Sequence, residues 1–481
     1  FVHVFWFFGM HGSRLMNPVL DYLHTLEVVQ YSGTTVFIEP NAFLHYFEAF
    51  VLMGGAGMTL SLLLALLLVS RRGAMSWLIK LSLVPAVFNI NELLVFGLPI
   101  VLNPTFLLPF VLVPIVAMVT TFGALYFGWL PADAPLVSWT MPVFFSGYVV
   151  SGSWFGVALQ ALNLLLGTLI YIPFVRWNEK QRKEEMNLAF QGLQQSLFQN
   201  AAPDKRLLER GDAQGVLARS LAHDLKESLK KRELVLVYQP QVNAAGKVVA
   251  AEALLRWKHS LYGAVAPPVI IAIAEESGLI HELGQWIIQE ACSELQCWKR
   301  MGIFNVRVSV NISPRQLQAS LLSEQVRVIL QQNALCPKDL EIEITETAAI
   351  TSDVNTAKNL EALRNMGVRL AIDDFGMGHT SLRYIQNFPM DTLKIDGMLS
   401  RNVVEDKSSQ EIILSITSLC ASLGLEMVVE YVETPRQQQV LSSMGCTVYQ
   451  GYLYSPPLAA EDAAMYILRH NQRDFYLQEP G

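Results

Sequence analysis

Three long uncharged runs set the terms for the first half of this chain. Ala49 to Ser70, Leu93 to Ala132 and Ala134 to Val175 contain no Asp, Glu, Lys or Arg. Each is long enough to cross a bilayer at least once, because about 20 apolar helical residues span the hydrocarbon core. Before Arg176 the only Lys and Arg are Arg14, Arg71, Arg72 and Lys80; Arg176, Lys180, Arg182 and Lys183 then follow the last apolar run at once. Positive charge at the end of a membrane segment faces the cytoplasm. The expectation is a helical membrane domain over 1–175 with roughly four to six segments. Several carry internal Gly and Pro, as in Asn91 to Pro114, and such breaks are tolerated where neighbouring protein or a cavity satisfies the freed backbone groups. Phe1 to Phe8 opens the chain as if in mid-helix, the pattern expected of the C-terminal part of a longer membrane protein or of one whose N-terminal half has been lost.

The second half is charged and has a different rhythm. Residues 176–215 read as a helical linker in which Met186, Phe190, Leu193 and Leu197 form a seam. That seam suits either pairing with a second copy or docking on its own domain. From Leu234 onward short β-branched runs alternate with helical stretches such as His281–Met301, Leu322–Asn333, Val354–Met366 and Gln410–Leu423. Eight strand–helix units over 216–475 predict an α/β fold, a (β/α)8 TIM-like barrel. In such barrels chemistry gathers at the C-terminal ends of the strands.

Acidic and amide motifs fall at those ends: Glu252-Ala253-Leu254 with Arg256, Asn311-Ile312-Ser313, Glu343-Ile344-Thr345-Glu346, Asp373-Asp374-Phe375-Gly376, Lys394-Ile395-Asp396 and Glu430-Tyr431-Val432-Glu433. Glu252, Asn311, Glu343 and Asp373 offer three carboxylates and an amide oxygen, a first shell for Mg²⁺ or Mn²⁺. Asp373 and Asp374 are adjacent, so one of them can bridge two ions while the other, with Glu430, holds the second. Paired ions activate water and stabilise charge on a phosphoryl group, and Lys394 is suited to orient that water or neutralise charge. Glu252, Lys394 and Glu430 are therefore the expected catalytic groups, and phosphodiester hydrolysis the expected reaction. Taken singly each motif has a bland explanation, a loop cap or a surface salt bridge; their joint order at strand ends is what argues for chemistry. The net charge of −7 averages a nearly uncharged first half with a charged second half and decides little; no strongly basic surface announces a nucleic-acid polymer as partner. The cysteines, Cys292, Cys297, Cys336, Cys420 and Cys446, form no C-x-x-C pair and read as reduced thiols rather than zinc ligands.

With Tyr238-Gln239-Pro240, the motifs above and Gln450-Gly451, the second half resembles the EAL family of cyclic-di-GMP phosphodiesterases over roughly Leu217 to Tyr466. The resemblance implies the same metal and lysine assignments, cyclic-di-GMP as substrate and linear pGpG as product. It also implies that Glu346 braces the loop after Asp374, that Gln239, Arg256 and Gln450 contact the dinucleotide or water, and that the domain forms a homodimer. Two neighbours of the site depart from the family: Tyr431 stands where Gly is usual, and Met377 where a small polar residue is usual.

The first half resembles the C-terminal part of a phosphotransferase-system EIIC sugar permease of the lactose/cellobiose type. The likeness rests on Gly9-Met10-His11-Gly12, Gly54 to Thr59, Asn91-Glu92-Leu93-Leu94, Phe96-Gly97-Leu98-Pro99 and Gly128-Trp129-Leu130-Pro131. It implies a sugar site at His11, Asn91 and Glu92. The combined expectation is a multi-pass protein of the bacterial inner membrane with its EAL domain in the cytoplasm, regulated by a sugar-sensing region. The competing readings are a cyclic-di-GMP receptor of weak activity and a sugar permease with a regulatory barrel.

Overall fold

The computed structural model describes residues 2–8, 10, 15, 40–69, 76–97, 100, 102–131, 134–135, 137–198, 206–231, 233–345, 354–376 and 390–471. The chain divides into two units, Phe1–Glu185 and Met186–Gly481.

The described elements of the first unit are helical: α1 (Val2–Phe7), α2 (Pro40–Phe50), α3 (Thr59–Val69), α4 (Ser76–Val87), α5 (Glu92–Gly97), α6 (Pro104–Tyr126), α7 (Phe145–Ser151) and α8 (Trp154–Phe198), whose last residues belong to the second unit. Among the described residues two helices, α6 and α8, are long and apolar enough to cross a membrane, where composition predicts four to six segments. The apolar runs are interrupted instead. A 3-10 turn at Ala56–Met58 precedes α3, and Gly57 within it has φ of 74°. A Cβ on Gly57 would lie 2.2 Å from the Phe110 ring, so glycine is needed both for the backbone and for the packing. The backbone groups freed there are satisfied by neighbours: the Gly57 N–H donates to His3 Nδ1 at 2.9 Å, and its carbonyl accepts from the Tyr171 hydroxyl at 2.6 Å. Pro104 opens α6, where Asn103 Oδ1 accepts from the Thr105 N–H at 3.0 Å, a sound helix start. Leu108, Val119, Leu162, Leu165 and Leu169 lie exposed along α6 and α8.

The second unit begins on the charged end of α8. Phe190 and Leu193 are buried in the core cluster of the barrel, with Met186 and Leu197 against it, and Phe190 stacks on Tyr262 at 5.1 Å. The seam therefore docks on its own domain. After α9 (Ala213–Lys231) come β1 (Leu234–Asn243), β2 (Val248–His259), β3 (Gly263–Val265), α10 (Pro267–Ser277), α11 (Ile280–Arg300), β4 (Arg307–Asn311), α12 (Pro314–Leu317), α13 (Leu322–Gln332), β5 (Leu340–Thr345), α14 (Val354–Met366), β6 (Arg369–Phe375), β7 (Thr392–Ile395), α15 (Gly397–Ser400), α16 (Lys407–Leu423), β8 (Glu426–Val429), α17 (Pro435–Ser443), β9 (Val448–Tyr449) and α18 (Ala460–Asn471). The sheet order β1-β9-β8-β7-β6-β5-β4-β2-β3, closed by β1 pairing with β2, makes an eight-stranded barrel with β3 as an appendage.

The all-parallel (β/α)8 expectation is corrected at its first strand. β1 runs antiparallel to both β2 and β9, while β2 and β4 to β9 run parallel. The reason is the connection. Only Ala244–Lys247 join β1 to β2, and a parallel crossover needs a dozen residues or more. Asn243 Oδ1 accepts from the Ala245 and Lys247 N–H groups, and Gly246 takes φ of 79°, a hairpin turn in which side-chain oxygen and glycine do the usual work. Trp257, Trp298 and Tyr238 are nearly fully buried around this hairpin, each burial worth roughly 1.5–3 kcal/mol.

Candidate active site

The parallel strands deliver their polar residues to one mouth. Asn311 ends β4 beside Glu343 of β5, and Asp373 of β6 lies beside Thr345. Lys394 is third on β7, while Glu430 and Gln450 follow the last residues of β8 and β9. Glu252 sits inside β2 rather than at its end. β2 continues past the barrel to His259 in order to pair with β3, but Ala250 to Ala253 are the residues that pair with β4, so Glu252 still belongs to the mouth. Strict alternation would send Asp373 and Asp374 to opposite faces. The ladder between β6 and β7 shifts register at this point and Asp374 takes φ of 56°, a conformation that Asp tolerates better than most residues. The irregularity brings both carboxylates to the site.

Lys394 stands at the centre, 1% exposed. Its Nζ lies 2.7 Å from Glu343 Oε2, 2.8 Å from Glu430 Oε1, 3.0 Å from Asp373 Oδ1 and 3.3 Å from Glu252 Oε2. An ammonium has three hydrogens to give, so four oxygens are one too many. Glu343 Oε1 is buried without a hydrogen-bond partner among the described residues, and Asp373 Oδ1, though ion-paired with Nζ, has no contact of hydrogen-bond geometry among them. With Asp374 added, five carboxylates face one ammonium. Charge surplus of this kind is strongly unfavourable in a buried site unless protons or cations balance it. Protons do so in part. Burial, then Asp373 and Glu252, push the Glu430 carboxyl up to about 8. Burial, then Asp373 and Asp396, push Asp374 up to about 6. Burial and Glu252 hold Glu343 well above the ordinary range. Glu252 is lowered, because Lys394, Gln450 and Asn311 outweigh its burial.

Cations fit this cluster. Ligand oxygens of Glu252, Glu343 and Asp373 lie within 4.8 Å of one another, as do those of Asp373, Asp374 and Glu430, and Asp373 is common to both groups. Oxygen-only donors suit hard divalent ions. Asn311 directs Nδ2 at Glu252 Oε1, 2.7 Å away, so its oxygen can serve a cation only with the amide turned over.

The remaining expected residues divide. Gln239 and Gln450 are buried and joined, Gln450 Nε2 donating to Gln239 Oε1 at 3.1 Å and to Glu252 Oε2 at 2.6 Å. Arg256 is half-buried, donates Nη1 to the Leu255 carbonyl and lines a cavity of about 1070 Å³ above the carboxylates. Glu346, Met377 and His11 lie outside the described residues. Asn91 is buried and donates to the Ala56 carbonyl at 3.3 Å, whereas Glu92 is exposed. Tyr431 has φ of 54°, which accounts for the glycine usual there. Its ring fits only because Gly397 has no Cβ, which would lie 2.3 Å away, and Arg401 sits 4.3 Å over the ring. Arg401 lines the cavity, and sequence reading missed it. It also missed Gln241, whose Nε2 donates to Gln450 Oε1 at 2.9 Å. The available signal for Gln241 was its place two residues after Gln239, on the same strand face; no pattern marks Arg401.

Residues 222–457 match the EAL domain family, and residues 1–114 match the family described as Phosphotransferase system, EIIC. Among curated relatives, the bifunctional diguanylate cyclase/cyclic di-GMP phosphodiesterase MucR of Pseudomonas aeruginosa is 38% identical over 242 residues, covering 50% of this chain and 35% of its own length. The cyclic di-GMP phosphodiesterase NbdA of the same organism is 37% identical over 239 residues, 50% of this chain and 30% of its own. The chain thus spans about a third of the length of these relatives. Of solved structures, the PaMucR phosphodiesterase in complex with c-di-GMP is 38% identical, covering 51% of this chain and 99% of that one, with a TM-score of 0.49. The EAL enzyme Bd1971 in its cGMP-bound form is 29% identical over 54% of this chain and 72% of that one, with a TM-score of 0.51. The chain thus joins a segment that matches the EAL domain family, at residues 222–457, to one that matches the phosphotransferase-system EIIC family, at residues 1–114.

Proposed function

We propose that this chain is a membrane-tethered phosphodiesterase that opens one phosphodiester bond of cyclic-di-GMP to give linear pGpG. The observation that carries this reading is the surplus of carboxylates around Lys394, arranged as two groups that share Asp373. The choice of substrate follows the named activity of the relatives. Glu252, Asn311, Glu343 and Asp373 would hold one Mg²⁺ or Mn²⁺, and Asp373, Asp374 and Glu430 a second. Such a pair supplies an activated water and neutralises charge on the phosphoryl oxygens. In the reaction the oxygen of water joins phosphorus, the bond to the 3′ oxygen breaks, and that oxygen takes up a proton. Lys394 holds the carboxylates in register and offsets their mutual repulsion. Arg256 and Arg401 are cations on the cavity wall for the phosphate that does not react.

For the membrane tether, support comes from α6 and α8, from their exposed leucines and from Arg176, Lys180, Arg182 and Lys183 after the apolar part of α8. By the positive-inside rule the barrel then lies in the cytoplasm. Full-length chain in detergent, given cyclic-di-GMP with Mn²⁺ or Mg²⁺, should release pGpG. Retention of the intact dinucleotide without product would replace the enzyme by a receptor. Recovery of the chain in the soluble fraction of cells would overturn the tether.

A further inference from the structure

Beneath the carboxylates runs a chain of three amides whose direction is dictated by a carboxylate at its middle and a backbone carbonyl at one end. Gln241 stands on β1 opposite Ala250, one layer deeper than the Gln239–Glu252 pair, and is 1% exposed. Its Nε2 donates to Gln450 Oε1 at 2.9 Å; Gln450 Nε2 donates to Glu252 Oε2 at 2.6 Å and to Gln239 Oε1 at 3.1 Å; Gln239 Nε2 donates to the Ser455 carbonyl at 3.2 Å. A carboxylate and a backbone carbonyl can only accept, so every amide in the chain has one permitted orientation. Gln241 Oε1, by contrast, is buried with no hydrogen-bond partner among the described residues. A buried unpaired carbonyl is costly, and an apolar side chain of the same size would remove it. What the position uses is the donor.

We propose that Gln241 is a positioning residue for the metal site: its N–H holds the Gln450 amide with nitrogen toward Glu252, and so fixes the carboxylate that receives a cation. The inference rests on the two-cation reading above and adds to it a residue that touches neither ion nor substrate. Gln241→Glu keeps the shape and reverses the polarity. Gln450 must then turn its nitrogen to the new carboxylate and its oxygen to Glu252.

The test is calorimetric titration of full-length chain in detergent with Mn²⁺, alongside thermal unfolding without metal. Gln241→Met should bind Mn²⁺ roughly 10- to 100-fold more weakly, in the range typical of lost outer-shell partners, with its unfolding midpoint about where the unaltered chain has it. Gln241→Glu should bind more weakly still; should its added charge prevent folding, Gln241→Met alone decides. Unchanged Mn²⁺ affinity in the folded variants would reduce Gln241 to a filler of space. If the unaltered chain takes up no Mn²⁺, the two-cation reading itself fails, a separate and recognisable result.

Discussion

Glu341 and Glu343 stand two residues apart on β5, both inside the barrel and both about 1% exposed. At the base of the barrel Glu341 accepts from Arg307 at 2.8 Å, from Arg369 at 3.3 Å and from the Thr392 hydroxyl, while Glu426 Oε2 accepts from the same arginines at 2.6 and 2.9 Å. Two guanidiniums meet two carboxylates, and the account closes. Burial alone would raise Glu341, yet Arg307, Thr392 and Arg369 hold it below the ordinary range. One turn of the pleat higher, Glu343 shares a lysine with three other carboxylates, is pushed well up and keeps an unpaired oxygen. The strand and the burial are the same. The base is finished by the protein's own groups, and the mouth is built to be completed from outside.

The largest test of that contrast is catalytic. Glu252→Ala and Lys394→Ala should each lower pGpG formation on the order of 10³-fold or more, since several kcal/mol of charge stabilisation is at stake; turnover left intact, followed by chromatography of product, would break the role assignments. At the base, Glu341→Ala leaves Arg307 and Arg369 with Glu426 as their one shared carboxylate and should destabilise the barrel by about 3–5 kcal/mol. Denaturant unfolding reads this, and a small effect would mean the base is no more finished than the mouth.

Acidity sharpens the comparison further. Proton and cation compete for the same oxygens. Glu430, raised to about 8, and Asp374, raised to about 6, hold protons as pH falls through that window. Mn²⁺ affinity should therefore weaken from pH 8 to pH 6, by about tenfold per unit for each proton released, as titrations at the two ends would record. A flat profile would contradict the raised carboxyls. The smallest effect belongs to Tyr431→Gly. Relief of its backbone strain, about 1–3 kcal/mol, is set against loss of the Arg401 contact, about 0.5–1 kcal/mol. The unfolding midpoint should rise slightly, and a fall would show that the ring contributes more than its strained backbone costs.

Much of this was legible in the residues. The β-branched runs at 340–344, 392–395 and 426–429 lie on β5, β7 and β8, because buried parallel strands demand such side chains. The cluster of Glu252, Asn311, Glu343, Asp373, Lys394 and Glu430 was visible as motifs, all but Glu252 at or near strand ends. The reversed first strand escaped, although Asn243 and Gly246 carry the hairpin signal, because alternation of strand and helix weighed more than loop length. The convergence of Asp373 and Asp374 depends on a positive φ that no periodicity announces. Gln241 looks like any strand residue until its partner, Gln450, arrives from more than two hundred positions away. The pairing itself leaves no local trace beyond the strand face Gln241 shares with Gln239.

Counting the ions tests the central claim most directly. Full-length chain titrated with Mn²⁺ and followed by electron paramagnetic resonance should take up two ions whose spins couple through a shared ligand, and Asp373→Asn should abolish the coupling and weaken both. A single uncoupled ion, or a pair indifferent to Asp373, would contradict the account.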